Sequence, residues 1–370
     1  MTKILVTGGA GFNGSHIVDA LIDRGHQVRV LDAVVEQVHG ERGPQYLHPK
    51  AEFLRGDVCD VDLVNRALDG VEAVYHKAAE VGVGQSMYEI SRYVRANDFG
   101  TAVLLEEIVK RRPQIKKLVV ASSMSIYGEG AYSCNQCGPI QPKLRPLSQL
   151  LDRDWELNCP QCGAKAKPIP TNEDKPLFPS SVYAISKQDQ EQFCLVVGRA
   201  YDIPVVALRY FNVYGPRQAL SNPYTGVCAI FSGRLLNDEQ PSIFEDGEQT
   251  RDFVHVSDIV QANLLALETD RADYEAVNIG TGSPISISEI SLMLARGLNK
   301  DIKPVVTGKY REGDIRHCVA DISRARKLLG YEPKVKLADG IPELLEWVRQ
   351  QQAENTIQAT AELEQHQLVR

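Results

Sequence analysis

The feature that most constrains the fold is the opening run MTKILVTGGAGFNGSHIV. A strand-length apolar segment (3–7) meets Gly8, Gly11 and Gly14 at GxxGxxG spacing, and an amphipathic stretch carrying Ile17, Val18, Leu21 and Ile22 follows as far as Gly25. Glycines between a strand and a helix let the backbone turn tightly and approach an anion closely, with the free amides of the helix N-terminus facing it. The next apolar run, QVRVLD (27–32), then returns parallel to the first. Asp32 ends that second run, where a carboxylate accepts hydrogen bonds from an adenosine ribose and repels a 2′-phosphate. Ala33 and Val34 follow it, not a basic residue, so the pattern favours NAD over NADP.

The rhythm continues through AEFLRGD, EAVYHKAA, KKLVVASS and IPVVALRY, with helical patterns over 60–68, 93–111 and 183–200 between them. This predicts an α/β fold, a Rossmann-like doubly wound parallel sheet. After about residue 213 the pattern loosens into shorter elements with Pro and Gly punctuation, the expected signature of a smaller second lobe and cleft wall. The divisions expected are a dinucleotide-binding domain over 1–130, 170–212 and 245–282, an insertion over 131–169, and a substrate lobe over 213–244 and 283–350. A polar tail, 351–370, shows helical propensity and little apolar face. Among 370 residues no apolar run approaches the roughly 18 needed to cross a bilayer. The N-terminus shows no basic segment followed by an apolar core and cleavage site, so a cytoplasmic location is expected. A net charge of −7 with mixed signs leaves no footprint for nucleic acid or an anionic membrane.

Tyr183 and Lys187, in YAISK, are one helical turn apart and share a face. An ammonium beside a phenol favours phenolate, which makes Tyr183 a candidate base near neutral pH. Ser123, in ASSMSIYG after the fifth strand, offers a hydroxyl for the same substrate oxygen. Asp57, in RGDV, ends the third strand, where an adenine contact or a helix cap is expected.

Taken together, GGAGFNGS, Asp32, HKAA (76–79), Asn97 in NDFGT, SSMSIYG, YAISK, RYFNVYGPRQ and RDFVHVSD resemble the extended short-chain dehydrogenase/reductase family, the NAD-dependent sugar-nucleotide epimerases and dehydratases. The match covers about 1–130 and 170–340. It implies Ser123, Tyr183 and Lys187 as the catalytic triad, with Gly8, Gly11, Phe12, Asn13, Gly14, Asp32, Asp57, Val58, Ala78, Asn97 and Tyr210 on the cofactor beside Tyr183 and Lys187. It also implies Asn212, Arg251, Arg311 and Asp314, beside Ser123, on a nucleotide sugar, the arginines meeting its diphosphate. Dimerisation through 93–111 and 183–200 is a further implication of the resemblance. Two positions depart from it: Asn13, where the family usually has isoleucine, and Lys77 in HKAA.

Dehydratases of this family resemble one another in carrying Asp-Glu just after the triad hydroxyl, and its decarboxylases tend to carry Glu two residues before Tyr-Gly. Here Met124 and Ser125 stand there, so elimination and decarboxylation are disfavoured and 4-epimerisation by transient oxidation is expected. The wording of MSIYGEG, VGQSMYEI and RYFNVYGPRQALSNPYTGVCAIF is similar to dTDP-L-rhamnose 4-epimerases. UDP-glucuronate or UDP-glucose 4-epimerases are the alternative, although Gln188 after Lys187 offers no cation to a sugar carboxylate. A nucleotide-sugar reductase and a non-catalytic NAD-binding scaffold are the remaining readings.

Cys134-x-x-Cys137 and Cys159-x-x-Cys162, each followed by glycine, read as a zinc-ribbon-like clip of four thiolates around a structural Zn²⁺, with disulfides or an iron–sulfur site as alternatives. Four protein ligands leave no open position for catalysis. Six Lys/Arg against five Asp/Glu over 131–175 argue against nucleic-acid binding there. His16, His26, His39, His48 and His317 lack metal-ligand spacing and are expected to be ordinary surface or core residues.

Overall fold

The strand-like runs assemble into one sheet in the computed structural model, which describes residues 1–41, 43–220, 226–351 and 358–370. Its seven strands are β1 (Lys3–Thr7), β2 (Gln27–Asp32), β3 (Glu52–Arg55), β4 (Ala73–His76), β5 (Lys117–Ser123), β6 (Val205–Tyr210) and β7 (Glu275–Ile279). Their order is β7-β6-β5-β4-β1-β2-β3, and every neighbouring pair is parallel. The chain therefore starts mid-sheet, winds one way to β3, and crosses back to β4. That reversal leaves a crevice at the carboxyl ends of β1 and β4, where ligands of such sheets bind.

Helices cover both faces. Helix α1 (Phe12–Asp23) lies on one, with α5 (Val256–Glu268); α2 (Val61–Ala67), α3 (Gly100–Lys110) and α4 (Val182–Tyr201) lie on the other. Two apolar layers result, one joining Ile4, Ile17, Val30 and Leu208, the other Leu5, Leu31, Leu104 and Leu118. Alternate residues of β1 point to opposite layers, the period-two consequence of a strand buried on both sides.

Two elements differ from expectation. The strand β7, EAVNI, falls within 245–282, expected in the dinucleotide-binding domain, yet it is absent from the strand-like runs, because five residues between polar flanks give a weak run. The helix expected over 93–111 begins at Ile90 and contains a π-helical turn over Val94–Phe99 before α3, which turns Asn97 fully inward. Such turns inside a helix commonly mark functional sites.

A third apolar cluster, beyond the sheet, is built from the helices Val227–Leu236, Ile287–Gly297 and Leu337–Arg349. The cysteine-bearing insertion forms a small antiparallel sheet, with Ala131–Cys134 between Gly138–Ile140 and Lys167–Ile169. Buried charge pins it to the rest. Arg145 makes two hydrogen bonds to Glu245 at 2.7 and 2.9 Å, and Arg316 bonds Glu156, Glu245 and Asp246. The Glu129 carboxylate accepts from the Arg316 amide at 2.8 Å. The tail, expected to be polar with helical propensity, forms a helix and packs on the rest of the protein. Its helix Gln358–Gln365 buries Leu363 near Gly84, His366 stacks on Tyr88 at 4.1 Å, and Arg370 exchanges backbone hydrogen bonds with Tyr310.

Helix α4 is fixed to the sheet by one ion pair. Arg209 of β6 meets both oxygens of Glu191 at 2.6 and 2.9 Å, and Glu191 also accepts from Ser122 Oγ. Both partners are almost fully buried. Replacing Arg209 by Met leaves Glu191 an uncompensated buried charge, so Arg209→Met is expected to lower the unfolding free energy by about 3–5 kcal/mol in urea titration.

Candidate active site

The glycine turn creates the floor of the site. Gly8 has φ +68°, and a Cβ there would lie 2.6 Å from the Ala78 nitrogen; a Cβ on Gly14 would lie 2.1 Å from the Gly8 oxygen. Only glycine lets β1 turn this tightly and α1 begin this close behind it. Asp32 locks the turn from the side, accepting from the Ala10 amide at 2.9 Å and the Val34 amide at 2.8 Å. His39 stands 3.8 Å from the same carboxylate, and burial holds its pKa below the usual histidine value.

A cavity of about 460 Å³ runs from this turn across the ends of β4, β5 and β6. It unites Gly8, Gly11, Phe12, Asn13, Gly14, Asp32, Asp57, Val58, Ala78, Ser123, Tyr183, Lys187, Tyr210 and Asn212 in one wall system. Helix α4 delivers Tyr183 and Lys187 because its N-terminus is fixed twice: Ser181 Oγ caps the Ala184 amide, and Ser86 Oγ accepts from the Tyr183 amide at 3.0 Å. Ser123 leaves the end of β5 beside them. Ser125 supports it, donating to Ser123 Oγ from its amide at 3.1 Å and its hydroxyl at 2.9 Å.

The electrostatics differ from the expectation that Lys187 depresses the phenol. Burial raises the Tyr183 pKa, and Ser123 partly opposes it. The Lys187 ammonium instead donates to Gln190 Oε1 at 2.6 Å and to the Ala121 carbonyl. Burial lowers Lys187 itself to about 8.

Four expected contacts lie elsewhere than in the cavity wall. Asn97 sits behind it, its Oδ1 accepting from the Glu80 amide at 2.7 Å and its Nδ2 donating to Ser186 Oγ at 2.8 Å. It shapes the wall from behind. The Arg251 guanidinium donates to the carbonyls of Thr250, Ile315 and Arg316 at 2.8–3.0 Å, and Arg311 is paired with Asp314 at 2.7 Å. These cations are satisfied by their own chain and are not lining residues. The SNPYT part of the longest similar motif lies outside the described residues. Conversely, Lys77, His39, Glu80 and Phe253 line the cavity. The unusual HKAA wording flagged the first; an isolated histidine gave no sign of the second.

In the insertion, the four cysteine sulfurs lie within 4.8 Å of one another, with Cys134 and Cys162 at 3.5 Å, and all four are free thiols. A tetrahedron with Zn–S bonds of about 2.3 Å needs sulfurs roughly 3.8 Å apart, so the donor set fits. Gly138 and Gly163 take φ +75° and +74°, the left-handed turn each knuckle requires. The amides of Gln136 and Cys137 lower the Cys134 thiol to about 7.

Fold and cavity define a Rossmann-type enzyme with a Ser/Tyr/Lys constellation at the crevice. The model of the NAD dependent epimerase/dehydratase family matches residues 4–147 and 159–280, breaking only inside the insertion, and the chain belongs to that family. It is 35% identical to a dTDP-L-rhamnose 4-epimerase of Burkholderia thailandensis, over 94% of this chain and 95% of that one. Among solved structures it is similar to a UDP-glucose 4-epimerase from Thermotoga maritima with UDP-glucose (TM-score 0.77, 34% identity, 94% and 98% covered). It is also similar to a UDP-glucuronic acid 4-epimerase from Bacillus cereus with UDP-glucuronic acid and NAD (TM-score 0.76, 30% identity, 94% and 99% covered). With these relatives the class of enzyme is plain: an NAD-dependent nucleotide-sugar 4-epimerase, an isomerase.

The Lys187 ammonium is the protonated form below about pH 8. Turnover that uses it is expected to fall as pH rises through that value, and Lys187→Arg, whose guanidinium stays charged there, to move the fall upward in a kcat–pH profile.

Proposed function

We propose that the protein interconverts dTDP-L-rhamnose, or a related dTDP-hexose, with its 4-epimer, using NAD held by the glycine turn. The observation that carries this is the meeting of Ser123, Tyr183 and Lys187 in a cavity whose acids are all otherwise engaged. Asp32 holds two backbone amides, Asp57 accepts from the Cys59 amide at 2.9 Å, and Glu80 pairs with Arg92 at 2.8 Å. Met124 and Ser125 supply no carboxylate, so neither elimination nor decarboxylation finds an added acid and base. The likeness to the Burkholderia enzyme favours the dTDP-sugar over UDP-glucose or UDP-glucuronate, and Gln188 leaves a sugar carboxylate without a cation at that position.

The cavity suits the dinucleotide, with Gly8, Gly11, Phe12, Asn13 and Gly14 beneath its phosphates, Asp32 at the adenosine ribose, Asp57, Val58, Ala78 and Tyr210 around it, and Asn97 supporting the wall from behind. NAD, when bound, supplies a reversible hydride acceptor at the sugar's carbon 4. The protein's share is the proton. Tyr183 Oη takes it from the C4 hydroxyl and later returns it, Ser123 Oγ holds the same oxygen, and the Lys187 charge stabilises the phenolate once the ammonium turns from Gln190 and the Ala121 carbonyl. Epimerisation then requires the 4-keto sugar to present its other face. Asn212, whose buried Oδ1 has no donor among the described residues, is the proposed sugar contact. Arg251 and Arg311, with Asp314, are the proposed diphosphate contacts and must exchange their present carbonyl and carboxylate partners.

The four cysteines hold a structural Zn²⁺ in this reading, in a zinc-ribbon-like module beside a substrate lobe. No described helix is long and apolar enough to cross a membrane, and we place the enzyme in the cytoplasm. It acts as a homodimer through the faces where Ile90, Val94, Phe99, Ile185, Phe193 and Val196 are exposed.

Incubating the purified enzyme with dTDP- and UDP-sugars, no cofactor added, should yield the 4-epimer of a dTDP-sugar, and Tyr183→Phe should cut kcat by about 10²–10⁴. Epimerisation of UDP-sugars alone rejects the dTDP reading; unchanged turnover in Tyr183→Phe rejects the mechanism. Elemental analysis should find one zinc per chain, lost in Cys134→Ser with a lower thermal midpoint; a metal-free wild type of equal stability rejects the zinc.

A further inference from the structure

We propose that Lys77 is a further cofactor-positioning residue, its ammonium the counter-charge for the dinucleotide pyrophosphate; this rests on reading the cavity as the NAD site. Lys77 directly follows β4, and its backbone touches the glycine turn: a Cβ on Gly8 would lie 2.7 Å from the Lys77 carbonyl carbon. Its amide donates to the Thr7 carbonyl at 3.0 Å, and the residue lines the same cavity as Gly8, Gly11 and Asn13. The backbone at this position therefore lies against the turn expected to cradle phosphate.

Lys77 is half-buried, and its ammonium lacks the anion that a cation drawn into the wall needs. Its Nζ donates to Tyr210 Oη at 2.9 Å and lies 5.5 and 5.3 Å from the ring centres of Tyr75 and Tyr210. No carboxylate of the described residues comes within ion-pairing distance of it, and Tyr210 Oη is shared with Asn263. Two aromatic faces and one neutral oxygen stabilise a charge far less than an anion does. In agreement, burial and the Lys187 charge hold its pKa well below the usual lysine value.

A second observation falls on the same wall. Asn13 Oδ1, in the first turn of α1, is buried with no donor among the described residues. The two positions that depart from the family pattern are thus both polar, both on this cavity, and both incompletely partnered. The turn itself offers amides and no charge. The other lysine that lines the cavity among the described residues, Lys187, is committed to Ala121 and Gln190, and no arginine of the described residues lines it. A doubly charged pyrophosphate arriving at α1 finds in Lys77 the lysine that is not so committed, and their pairing removes the cost of leaving each unpaired.

The test measures NAD released on denaturation, and the affinities of the emptied protein for NAD, ADP-ribose and adenosine, in wild type, Lys77→Met and Lys77→Arg. Lys77→Met is expected to raise the Kd of NAD and ADP-ribose about tenfold or more while leaving adenosine unchanged, and Lys77→Arg to restore much of the loss. Equal retention of NAD by Lys77→Met, or equal weakening of adenosine and ADP-ribose, overturns the proposal. Should Lys77→Met fail to fold, Lys77→Gln carries the comparison with Lys77→Arg. A wild type that neither carries nor takes up NAD instead overturns the reading of the cavity.

Discussion

The rest of the structure depends on a backbone-against-backbone contact at the end of β1. Gly14 starts α1 so close to Gly8 that no Cβ fits between them, and Gly8 in turn presses on the peptide joining Lys77 to Ala78. This proximity sets α1 over β1, fixes the crevice where the sheet reverses direction, and leaves the first amides of α1 pointing into it. Asp32 completes the arrangement by tying the turn to the end of β2. Every later contribution to the site, from Ser123 at the end of β5 to Tyr183 on α4, is measured from that fixed floor.

How legible this was in the sequence follows from how local each determinant is. The glycine spacing, the Tyr183–Lys187 turn and the paired cysteine knuckles are short-range patterns, and their members meet in space. The placement of Arg251, Arg311 and Asp314 was not legible. Whether a guanidinium faces a cavity or a row of carbonyls depends on the path of residues 315–316, which only tertiary packing decides. Likewise Asn97 was found but its place was not, because a π-helical turn rotated it behind the wall. β7 escaped because five residues offer too little periodicity to compete with the loops around them.

Charge in this molecule is managed by burial in pairs. Arg209 with Glu191 ties α4 to the sheet, and Arg145 and Arg316, both paired with Glu245, tie the cysteine-bearing sheet to the remainder. Buried pairs of this kind contribute less to net stability than to uniqueness, since any other docking of the same surfaces strands a charge in a dry interior. Tyr183 and Lys187 follow the opposite rule. Both sit where burial disfavours their charged forms, which keeps them responsive to what enters the cavity.

The insertion interrupts the chain between Ser123 and Tyr183. Bringing these two groups together closes a loop that contains the whole insertion, an entropic cost that grows slowly with its length. Folding of the cysteine knuckles shortens the effective tether. The small sheet that carries the knuckles thus spans, in the finished molecule, the stretch of chain that separates the two halves of the catalytic constellation.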